Sequence, residues 1–575
     1  MGEKITGREV LVRCLVNEGV DLVFGYPGGA IMPLYDTLYS YRDKLKHILT
    51  RHEQGSIHAA EGYARATGKT GVVISTSGPG ATNLVTGIAD ARIDSTPLVI
   101  ISGQVGTNVL GTDAFQETDF IDVTNPISKW GILLKKASEI PEVIAKAFYI
   151  ANTGRPGPVV IDFPRDVQVE LMEWNGYKKC NFIRTYEARP KVNVDEIKKA
   201  AEIINKADRP MIIAGNGVVV ANAERVLGEI AEKADIPVAS TLHGISVMQT
   251  EHRLYKGMVG MHGNIGPNVG TNRADVILAV GLRFDDRIVG KVSSYAPQAK
   301  IVHIDIDASE MGRTINPWLT IHADAKDALE ALLPLIEIRT HEKWLEFFST
   351  CERKEEDKII HEQLHPIPET MMTMAEVIRK VSDAFNSDAI LVTDVGQNQM
   401  SSVRYFRFTS PRSVITSGGL GTMGYGIPAA IGAKIGRPER NVCLFCGDGG
   451  FQMTIQELGT IMEYDINVKI VILNNTYLGN VRQWQELFYE GRYSQTPLVN
   501  PDFIKITEAY GIKGENVATR EELKGAVERM IKHDGAYVLN VCVDPANNIF
   551  PMIYPGSSID EIMLSATEKL NILEL

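Results

Sequence analysis

The chain contains 575 residues, of which 44% are hydrophobic and 23% are charged, as in an ordinary soluble globular protein. A single core rarely extends beyond about 250–300 residues, so this length predicts roughly three to four domains. The formal net charge of −12 argues against a nucleic-acid or anionic-membrane surface, although local positive charge would still allow small anions to bind.

Residues 1–170 are predicted to form a first α/β domain. The pattern gives a helix, a short strand, a glycine turn, and then further strands and helices in alternation, which indicates a doubly wound parallel sheet. The main elements are expected at 7–20 (helix), 22–24 (strand), 25–30 (turn), 72–75 (strand) and 97–102 (strand).

Glu53 is the first candidate functional residue. It lies at a predicted strand end, immediately before a helix of small residues that begins at Ser56. It could simply be a helix-terminal carboxylate that interacts favourably with the helix dipole. His52-Glu53 also begins like the zinc-protease motif H-E-x-x-H, but Ser56 occupies the second histidine position, so we reject a zinc site.

Residues 171–193 interrupt the pattern with mixed charges and aromatic residues, and they are expected to be a linker. A second α/β domain is predicted over 194–337, with strands that end in glycine or aspartate. Its Ala214-Gly-Asn-Gly217 turn is Rossmann-like and compatible with nucleotide binding, but it is not a complete G-x-G-x-x-G motif and is weak by itself. Charged helical residues followed by prolines make 338–370 a second linker.

A third α/β domain is expected over 371–545, and a tail over 546–575 is predicted to end in a helix. Within this domain, one apolar strand ends just before Asp448 and the next ends at Asn475. Because parallel strands bring their carboxyl ends to one edge, these two side chains are expected to lie together. A carboxylate, an amide oxygen and glycines that admit a phosphate suit a Mg²⁺-diphosphate site.

Cysteine content and hydropathy predict a protein of a reducing, cytoplasmic setting. Six cysteines in so long a chain do not make a disulfide scaffold. Cys443 and Cys446 form a C-x-x-C pair, but buried core thiols are favoured over zinc or redox chemistry because both lie in an apolar strand with no second pair nearby. No apolar run approaches a membrane span, and the start MGEKITGREVLVRCL is typical of an amphipathic helix rather than of a targeting peptide.

The GDG…NN arrangement around Asp448 and Asn475 resembles the signature of thiamin diphosphate-dependent decarboxylases and carboligases. Within that group, motifs along nearly the whole chain are similar to those of the acetohydroxyacid synthase family. They are FGYPGGA (24–30), RHEQG (51–55), STSGPGATN (75–83), GTDAFQET (111–118), GRPGPV (154–159), GMHG (260–263), GLRFDDR (281–287), SGGLGTMGYGIPAA (417–430) and VRQWQELFY (481–489). The resemblance implies three doubly wound parallel-sheet α/β domains, which are pyrimidine-binding, central and diphosphate-binding in that order.

The resemblance implies roles at the cofactor. Glu53 would hydrogen-bond the pyrimidine ring, and Met423 would support the bent conformation of the cofactor. Asp448, Asn475 and the backbone carbonyl of Tyr477 would bind Mg²⁺. The other thiamin diphosphate contacts would be Tyr26, Pro27, Gly29, Val395, Gly396, Gln397, Asn398, Gly421, Gly447, Gly449 and Gly450.

The resemblance also implies a reaction. Pyruvate would lose CO₂ on the cofactor, and the two-carbon unit would be ligated to a second pyruvate, giving 2-acetolactate, or to 2-ketobutyrate, giving 2-aceto-2-hydroxybutyrate. Arg287 would bind the second carboxylate, and Trp484 would form an apolar wall that prefers ethyl to methyl. Gln116 and Lys129 would approach from the partner subunit. In the family this is the first common step of valine, leucine and isoleucine biosynthesis.

A structural, non-redox FAD is implied by the GMHG and RFDDR segments. Its contacts would be Arg155, Gly215, Gly217, Thr241, Leu242, Met261, His262, Gly281, Arg283, Asp285, Asp305, Ile306 and Asp324. The acidic pair Asp285-Asp286 could equally be a solvated loop.

By resemblance, the expected partners are a second copy of the chain, in a homodimer or tetramer with active sites between subunits, and a small regulatory subunit. A thiamin diphosphate–FAD oxidase or a 2-keto acid decarboxylase is an alternative, but neither needs Arg287 and Trp484. A non-catalytic nucleotide-binding relative is another, although Glu53 and Asp448 are intact. Four positions depart from the usual family residues and bear on substrate preference more than on the reaction: Gly106, Trp130, Asn398 and Asn480.

Overall fold

A computed structural model describes residues 3–575 and contains three six-stranded sheets, in each of which all neighbouring strands are parallel. Along each strand, successive side chains enter different hydrophobic clusters on opposite faces of the sheet. Val23 and Phe24 show this alternation in the first sheet, as do Ile390 and Leu391 in the third. Parallel sheets require cover on both faces, which explains the continuous apolar strands. The predicted fold of three doubly wound α/β domains is confirmed.

The N-terminal sheet has the spatial strand order second, first, third, fourth, sixth, fifth. Its strands are Leu22–Gly25, Lys46–Leu49, Gly71–Ser75, Leu98–Gln104, Trp130–Leu133 and Pro158–Pro164. The helices around it are Gly7–Glu18, Met32–Ser40, Glu53–Thr67, Pro79–Thr82, Val85–Asp94, Phe120–Thr124, Ile140–Asn152 and Arg165–Val169. The elements predicted in this domain are present, with small differences at their ends.

The C-terminal sheet repeats the strand order of the N-terminal sheet. Its strands are Ala389–Thr393, Val414–Ile415, Asn441–Gly447, Lys469–Asn474, Lys513–Val517 and Tyr537–Cys542. Its helices are Met374–Ala384, Gln397–Tyr405, Gly426–Gly436, Asp448–Met453, Leu458–Tyr464, Gly479–Phe488, Phe503–Ala509 and Arg520–Lys532. Cys443 and Cys446 are fully buried in the third strand, as predicted.

The central sheet has the spatial order third, second, first, fourth, fifth, sixth, which is the Rossmann order. Its strands are Pro210–Ala214, Val238–Ser240, Tyr255–Met258, Val276–Val280, Lys300–Asp305 and Leu319–His322. Its helices are Val194–Asn205, Asn216–Val220, Glu224–Ala234, Ile265–Arg273, Asp286–Val289 and Ala325–Leu332. The order reverses between the first and fourth strands, where open α/β sheets bind ligands.

The segment 338–370 is largely a helix packed on the central domain. Its main helix, Glu342–Glu355, continues through Glu356–Ile360 to His361–Leu364. Trp344 and Phe348 are buried in the same cluster as one face of the central sheet. This connection therefore adds to the core of the central domain, and the domain boundaries remain predictions.

Two predictions at the chain ends are wrong. Glu3–Thr6 is a strand rather than the start of a helix, and it pairs antiparallel with Leu171–Trp174. The tail does not end in an α-helix. Within the described residues it forms the short strands Met552–Ile553 and Ile562–Met563 and a 3₁₀ turn at Ile572–Glu574. Both outcomes depend on partners distant in sequence, which local periodicity does not reveal.

The N- and C-terminal domains meet at two helices that contact each other through their backbones. A side chain at Gly62 would clash with the carbonyl oxygen of Ala429, and one at Gly432 would clash with that of Ala59. Only glycine permits so close an approach. The helix that begins at Glu53 is therefore fixed against the C-terminal domain. Separately, no helix among residues 3–575 is long and apolar enough to cross a membrane.

Candidate active site and cofactor cavity

Glu53 is the first residue of its helix, at the carboxyl-terminal edge of the N-terminal sheet. Its side chain is only 9% exposed, and its Oε2 accepts a 2.9 Å hydrogen bond from Nδ2 of Asn83. The other oxygen, Oε1, faces Gly80, where an added Cβ would lie 3.1 Å away. Asn83 thus holds the carboxylate in one orientation. Sequence reasoning missed this role, although Asn83 ends one of the motifs.

Other predicted residues lie at the same edge as Glu53. Gly28, within the predicted turn 25–30, packs so closely on Thr76 that an added Cβ would lie 2.5 Å from the Cβ of Thr76. Gly78 lies beneath Gln116, whose backbone oxygen would be 2.9 Å from an added Cβ. The predicted cofactor turn and Gln116 are therefore brought to one side of the N-terminal domain.

Lys129 is not brought to this edge. Its ammonium group donates hydrogen bonds to the carbonyl of Thr153 at 2.8 Å, to the hydroxyl of Tyr186 at 3.1 Å and to the carbonyl of Ile150. These contacts use all three of its donors. Burial, with Arg92 nearby, lowers the pKa of Lys129 to about 7. Within one chain Lys129 therefore ties the linker to the N-terminal domain, and its role at the site of a partner subunit stays a prediction.

Asp448 and Asn475 each follow one of two neighbouring strands of the C-terminal sheet, which confirms that they share one edge. Asp448 is 1% exposed, and its Oδ2 accepts a 2.6 Å hydrogen bond from Asn500. Oδ1 of Asn475 accepts a 3.1 Å bond from the backbone N–H of Tyr477. Asn500 had no signal in the sequence because it lies in a loop distant from both strands.

These oxygens fit a divalent cation. Burial raises the pKa of Asp448, and the side chain that hydrogen-bonds its carboxylate, Asn500, is neutral. A buried carboxylate is costly unless a charge compensates it. The carboxylate of Asp448, the amide oxygen of Asn475 and the carbonyl of Tyr477 are hard donors of the kind that Mg²⁺ prefers.

Glycine turns beside Asp448 leave backbone accessible. Gly396 and Gly421 have φ values of +109° and +72°, and an added Cβ would meet its first neighbouring atom only 3.8 Å away at each. Such open, positive-φ glycines suit a diphosphate that contacts the main chain. Gly447 and Gly449 lie at the same edge, where an added Cβ at Gly449 would be 3.6 Å from Met423.

Three polar residues shape these turns. Asn475 donates to Oε1 of Gln397 at 3.3 Å, and Gln397 in turn donates to Gln483 at 2.9 Å. Asn398 donates to the carbonyl of Val395 at 2.9 Å, so its amide group stabilises its own turn. The second N–H of this amide faces Gly447, 3.6 Å from an added Cβ there, so the contact between Asn398 and the diphosphate stays a prediction.

Asp394 organises the same edge and was missed. It is 1% exposed and accepts hydrogen bonds from the backbone N–H groups of Val395, Gly424 and Gly426 at 2.9–3.1 Å. This carboxylate joins the turn after one strand to the turn that carries Met423. Its position at a predicted strand end was the signal that could have identified it.

A cavity of about 870 Å³ opens at the switch point of the central sheet. It is lined by every predicted FAD position except Gly215, together with residues of the N- and C-terminal domains. Gly217 and Gly281 pack back to back, with an added Cβ at Gly217 only 2.6 Å from Cα of Gly281. Gly215 lies beside them under the cavity floor, where a Cβ would meet Leu282 at 2.5 Å.

This cavity fits a dinucleotide. Its volume lies in the range of cofactor pockets, and it occupies the place where doubly wound sheets bind nucleotides. Asp305, at the end of the fifth strand, lines it, and burial raises the pKa of this carboxyl to about 7. A buried strand-end carboxyl is suited to accept hydrogen bonds from ribose hydroxyls. The residues present therefore fit FAD.

Arg287, Trp484 and Asn480 line the same cavity where it reaches the C-terminal domain. The side chain of Arg287 is 61% exposed, and its Nε lies 3.6 Å from Oδ2 of the exposed Asp286. This exposed ion pair leaves the guanidinium accessible to a ligand. Asn480 packs 3.8 Å from the Cβ position of Gly396 and has a buried, unpartnered Oδ1. The structure thus brings the two residues predicted for the second substrate to one cavity, which reaches the diphosphate turns at Asn480.

One buried carboxylate joins the three domains beneath the cavity. Asp94 accepts hydrogen bonds from the backbone N–H groups of Gly418 and Gly419 at 2.9 and 2.8 Å, and its Oδ2 is 2.9 Å from Nε2 of His243. Burial opposes ionisation of Asp94, but His243 and Arg65 hold its pKa low. Sequence reasoning missed this junction, because each partner comes from a different domain.

Among residues 3–575, no hydrogen bond or ion pair joins the side chain of Glu53 to that of Asp448. The side chain of Glu53 hydrogen-bonds Asn83, and that of Asp448 hydrogen-bonds Asn500. Exposed apolar side chains accompany both edges, including Phe115 at 88% and Val481 at 49%. Exposed apolar surface therefore lies beside both clusters.

Comparison with known proteins identifies all three domains. Models of thiamine pyrophosphate (thiamin diphosphate) enzymes match residues 5–123 as the N-terminal binding domain, 197–332 as the central domain and 394–541 as the C-terminal binding domain. A probable acetolactate synthase large subunit of Methanocaldococcus jannaschii is 44% identical over 97% of this chain and 95% of its own length. The acetolactate synthase isozyme 2 large subunit of Escherichia coli is 40% identical over 99% of this chain and 100% of its own length. An acetolactate synthase large subunit of Lactococcus lactis is 42% identical over 97% of this chain and 96% of its own length.

Proposed function

The chain belongs to the acetolactate synthase large-subunit family of thiamin diphosphate enzymes, and from this we propose how its residues join two 2-keto acids with loss of CO₂. The first substrate is pyruvate. The second is pyruvate, giving 2-acetolactate, or 2-ketobutyrate, giving 2-aceto-2-hydroxybutyrate. One observation carries the assignment of a second substrate, namely that Arg287 and Trp484 line one cavity beside the diphosphate turns.

The cofactor residues divide between two clusters, one around Glu53 and one around Asp448. When bound, thiamin diphosphate supplies a nucleophilic carbon and accommodates the electron pair released by decarboxylation. Glu53 holds a proton at the pyrimidine ring, and Asn83 keeps its carboxylate oriented. Asp448, Asn475 and the carbonyl of Tyr477 hold Mg²⁺, which neutralises the diphosphate.

The second keto acid is held by residues of the cavity. The planar guanidinium of Arg287 matches a carboxylate in two parallel hydrogen bonds. Trp484 packs edge-on against Phe488, with ring centroids 5.2 Å apart, which fixes its indole as an apolar wall for the alkyl group.

We propose that the active unit contains two copies of the chain. The side chains of Glu53 and Asp448 share no hydrogen bond or ion pair within one chain, and apolar side chains are exposed beside both. A small regulatory subunit is a further proposed partner, since the relatives are named large subunits. All six cysteines are free thiols, which supports the reducing, cytoplasmic setting that we propose.

Product analysis tests the function. Purified protein with thiamin diphosphate, Mg²⁺ and FAD receives pyruvate, with and without 2-ketobutyrate, and four products are quantified: acetolactate, acetohydroxybutyrate, acetaldehyde and acetate. We expect the two acetohydroxyacids to dominate. Acetate with oxygen consumption would instead indicate an oxidase, and acetaldehyde alone would indicate a decarboxylase. Either result would overturn the assignment of the second half-reaction.

Trp484→Leu is expected to reduce the preference for 2-ketobutyrate over pyruvate. Apolar contact with one extra methylene discriminates by roughly 10–200-fold, so loss of the wall should lower the competition ratio about tenfold. The ratio of acetohydroxybutyrate to acetolactate at mixed substrate measures this. Trp318→Leu, an exposed tryptophan in the central domain, is the control. An unchanged ratio in Trp484→Leu would show that this side chain does not contact the alkyl group.

FAD is expected to bind the central cavity and stabilise the protein. At a free concentration of about 100 times Kd, binding should add about 2.7 kcal/mol to the free energy of unfolding. Gly217→Ala should lose flavin, because its Cβ would lie 2.6 Å from Cα of Gly281, whereas Gly228→Ala has no atom within 4 Å and should retain it. Flavin absorbance after gel filtration measures both. Equal flavin content in the two variants would place FAD elsewhere.

A further inference from the structure

A buried carboxylate from the C-terminal domain lies at the start of the Glu53 helix. Glu457 is 0% exposed. Its two oxygens accept hydrogen bonds of 3.0 and 3.2 Å from the backbone N–H of Arg51, and Oε2 also accepts a 2.7 Å bond from the hydroxyl of Thr460. Glu457 therefore binds the main chain two residues before Glu53.

Gly55 makes room for this contact. A Cβ at Gly55 would clash with Oε1 of Glu457, so only glycine lets the carboxylate reach the helix N-terminus. Free backbone N–H groups at a helix N-terminus attract negative charge. Burial raises the pKa of Glu457 to about 7, while the hydroxyl of Thr460 and the N–H groups of Arg51 and His52 oppose that shift.

Residues 459–464 of the C-terminal domain make further hydrogen bonds to the segment before Glu53. The guanidinium of Arg51 donates to the carbonyl of Gly459 at 3.1 Å and pairs with Glu463 at 2.7 Å. The N–H of Leu49 donates to the hydroxyl of Tyr464 at 2.9 Å. Leu49 and Arg51, just before Glu53, are thus held by residues 457–464.

The residues that contact this segment follow closely in sequence after Asp448, the candidate Mg²⁺ ligand. Asp448 begins the helix Asp448–Met453, and Glu457 lies in the short turn that follows it. One continuous segment, 448–464, therefore carries the candidate Mg²⁺ ligand at one end and the contacts to the Glu53 helix at the other.

We propose that Glu457 is a positioning residue, which sets the start of the Glu53 helix relative to the Asp448 segment and so keeps Glu53 aligned for proton transfer at the cofactor ring. The proposal rests on the proposed cofactor role of Glu53. Because each Glu53 would serve a site shared with the second copy, Glu457 connects the metal end of one site to the catalytic carboxylate of the other.

The test compares Glu457→Ala and Glu457→Gln with the control Glu376→Gln. Glu376 is a buried glutamate of the same domain that pairs with Arg520 at 2.7 Å, away from Glu53. Two quantities are measured on holoenzyme: kcat and KM for pyruvate, and the rate at which the acidic proton of bound thiamin diphosphate exchanges with D₂O. Thermal unfolding and cofactor affinity are measured alongside. The exchange assay needs no keto acid, so it reports on Glu53 alignment even if product analysis overturns the carboligase.

For Glu457→Ala we expect kcat and the exchange rate to fall together by about 10–100-fold, as misplacement of a catalytic group by about 1 Å costs that much. KM and cofactor affinity should stay within about threefold. Glu457→Gln should recover most of both rates, because its amide oxygen still accepts from Arg51. Glu376→Gln should leave the exchange rate unchanged.

Normal proton exchange in Glu457→Ala, with or without a lower unfolding temperature, would overturn the positioning role and leave only a structural one. If Glu457→Ala does not fold, Glu457→Asp decides the matter, since it withdraws the carboxylate by one methylene. Slower proton exchange in Glu457→Asp than in Glu457→Gln would support the proposal. Exchange at the wild-type rate in both variants would overturn it.

Discussion

Glu53→Gln is expected to abolish most turnover while the protein still binds thiamin diphosphate. Removal of a positioned proton-transfer group typically costs about 10²–10⁴-fold in rate. Glutamine is isosteric, so its amide oxygen can still accept the hydrogen bond that Asn83 donates to Glu53 at 2.9 Å. Because the fold and the diphosphate contacts are untouched, cofactor affinity should change only a few-fold. Acetohydroxyacid formation and cofactor titration by intrinsic fluorescence measure the two effects.

The matched control is Glu142→Gln, which neutralises an exposed carboxylate of the same domain that pairs with Lys146 one helical turn away. Such exposed pairs contribute little, so its turnover should equal that of the wild type. Unchanged turnover in Glu53→Gln would remove Glu53 from the mechanism. Loss of cofactor binding in step with turnover would instead make it a binding residue.

Asp448→Asn is expected to weaken Mg²⁺-dependent cofactor binding at least about 100-fold. The substitution keeps the side-chain shape but removes the negative charge from a residue that is 1% exposed. Removing one member of a buried charge pair costs about 3–5 kcal/mol, which corresponds to more than two orders of magnitude in affinity. Titration of thiamin diphosphate at fixed Mg²⁺, and of Mg²⁺ at fixed cofactor, measures the loss.

Asp465→Asn is the control for this substitution. Asp465 is an exposed residue of the same domain with φ of +50°, a backbone conformation that asparagine tolerates well. Both variants should unfold at nearly the wild-type temperature without cofactor. Wild-type affinity for Mg²⁺ in Asp448→Asn would show that the ion binds elsewhere.

The domain types and the strand-end residues could be predicted from the sequence. Apolar runs that end in glycine or aspartate predicted parallel strands, and parallel strands share a carboxyl edge. Asp448 and Asn475 therefore had to lie on neighbouring strand ends once both were strands. The same logic placed Gly217 and Gly281 together at the switch point of the central sheet.

The sequence alone did not determine which side chains meet across domains. Lys129 matches a family active-site position, yet its donors are occupied by Thr153, Ile150 and Tyr186. Glu3–Thr6 became a strand because Leu171–Trp174 lies beside it. In both cases a partner far along the chain decided the outcome, and local periodicity contains no information about that partner.

The local sequence pattern determined the three α/β units and the kinds of residue at their strand ends. Buried parallel strands require continuous apolar runs, and the tight turns after them require glycine, so both features can be recognised position by position. Tertiary structure alone decided the junctions. It placed Asp94 against His243 and Gly418, and Glu457 at the start of the Glu53 helix. A buried carboxylate needs hydrogen-bond donors, and which donors lie close to it depends on how the whole chain packs.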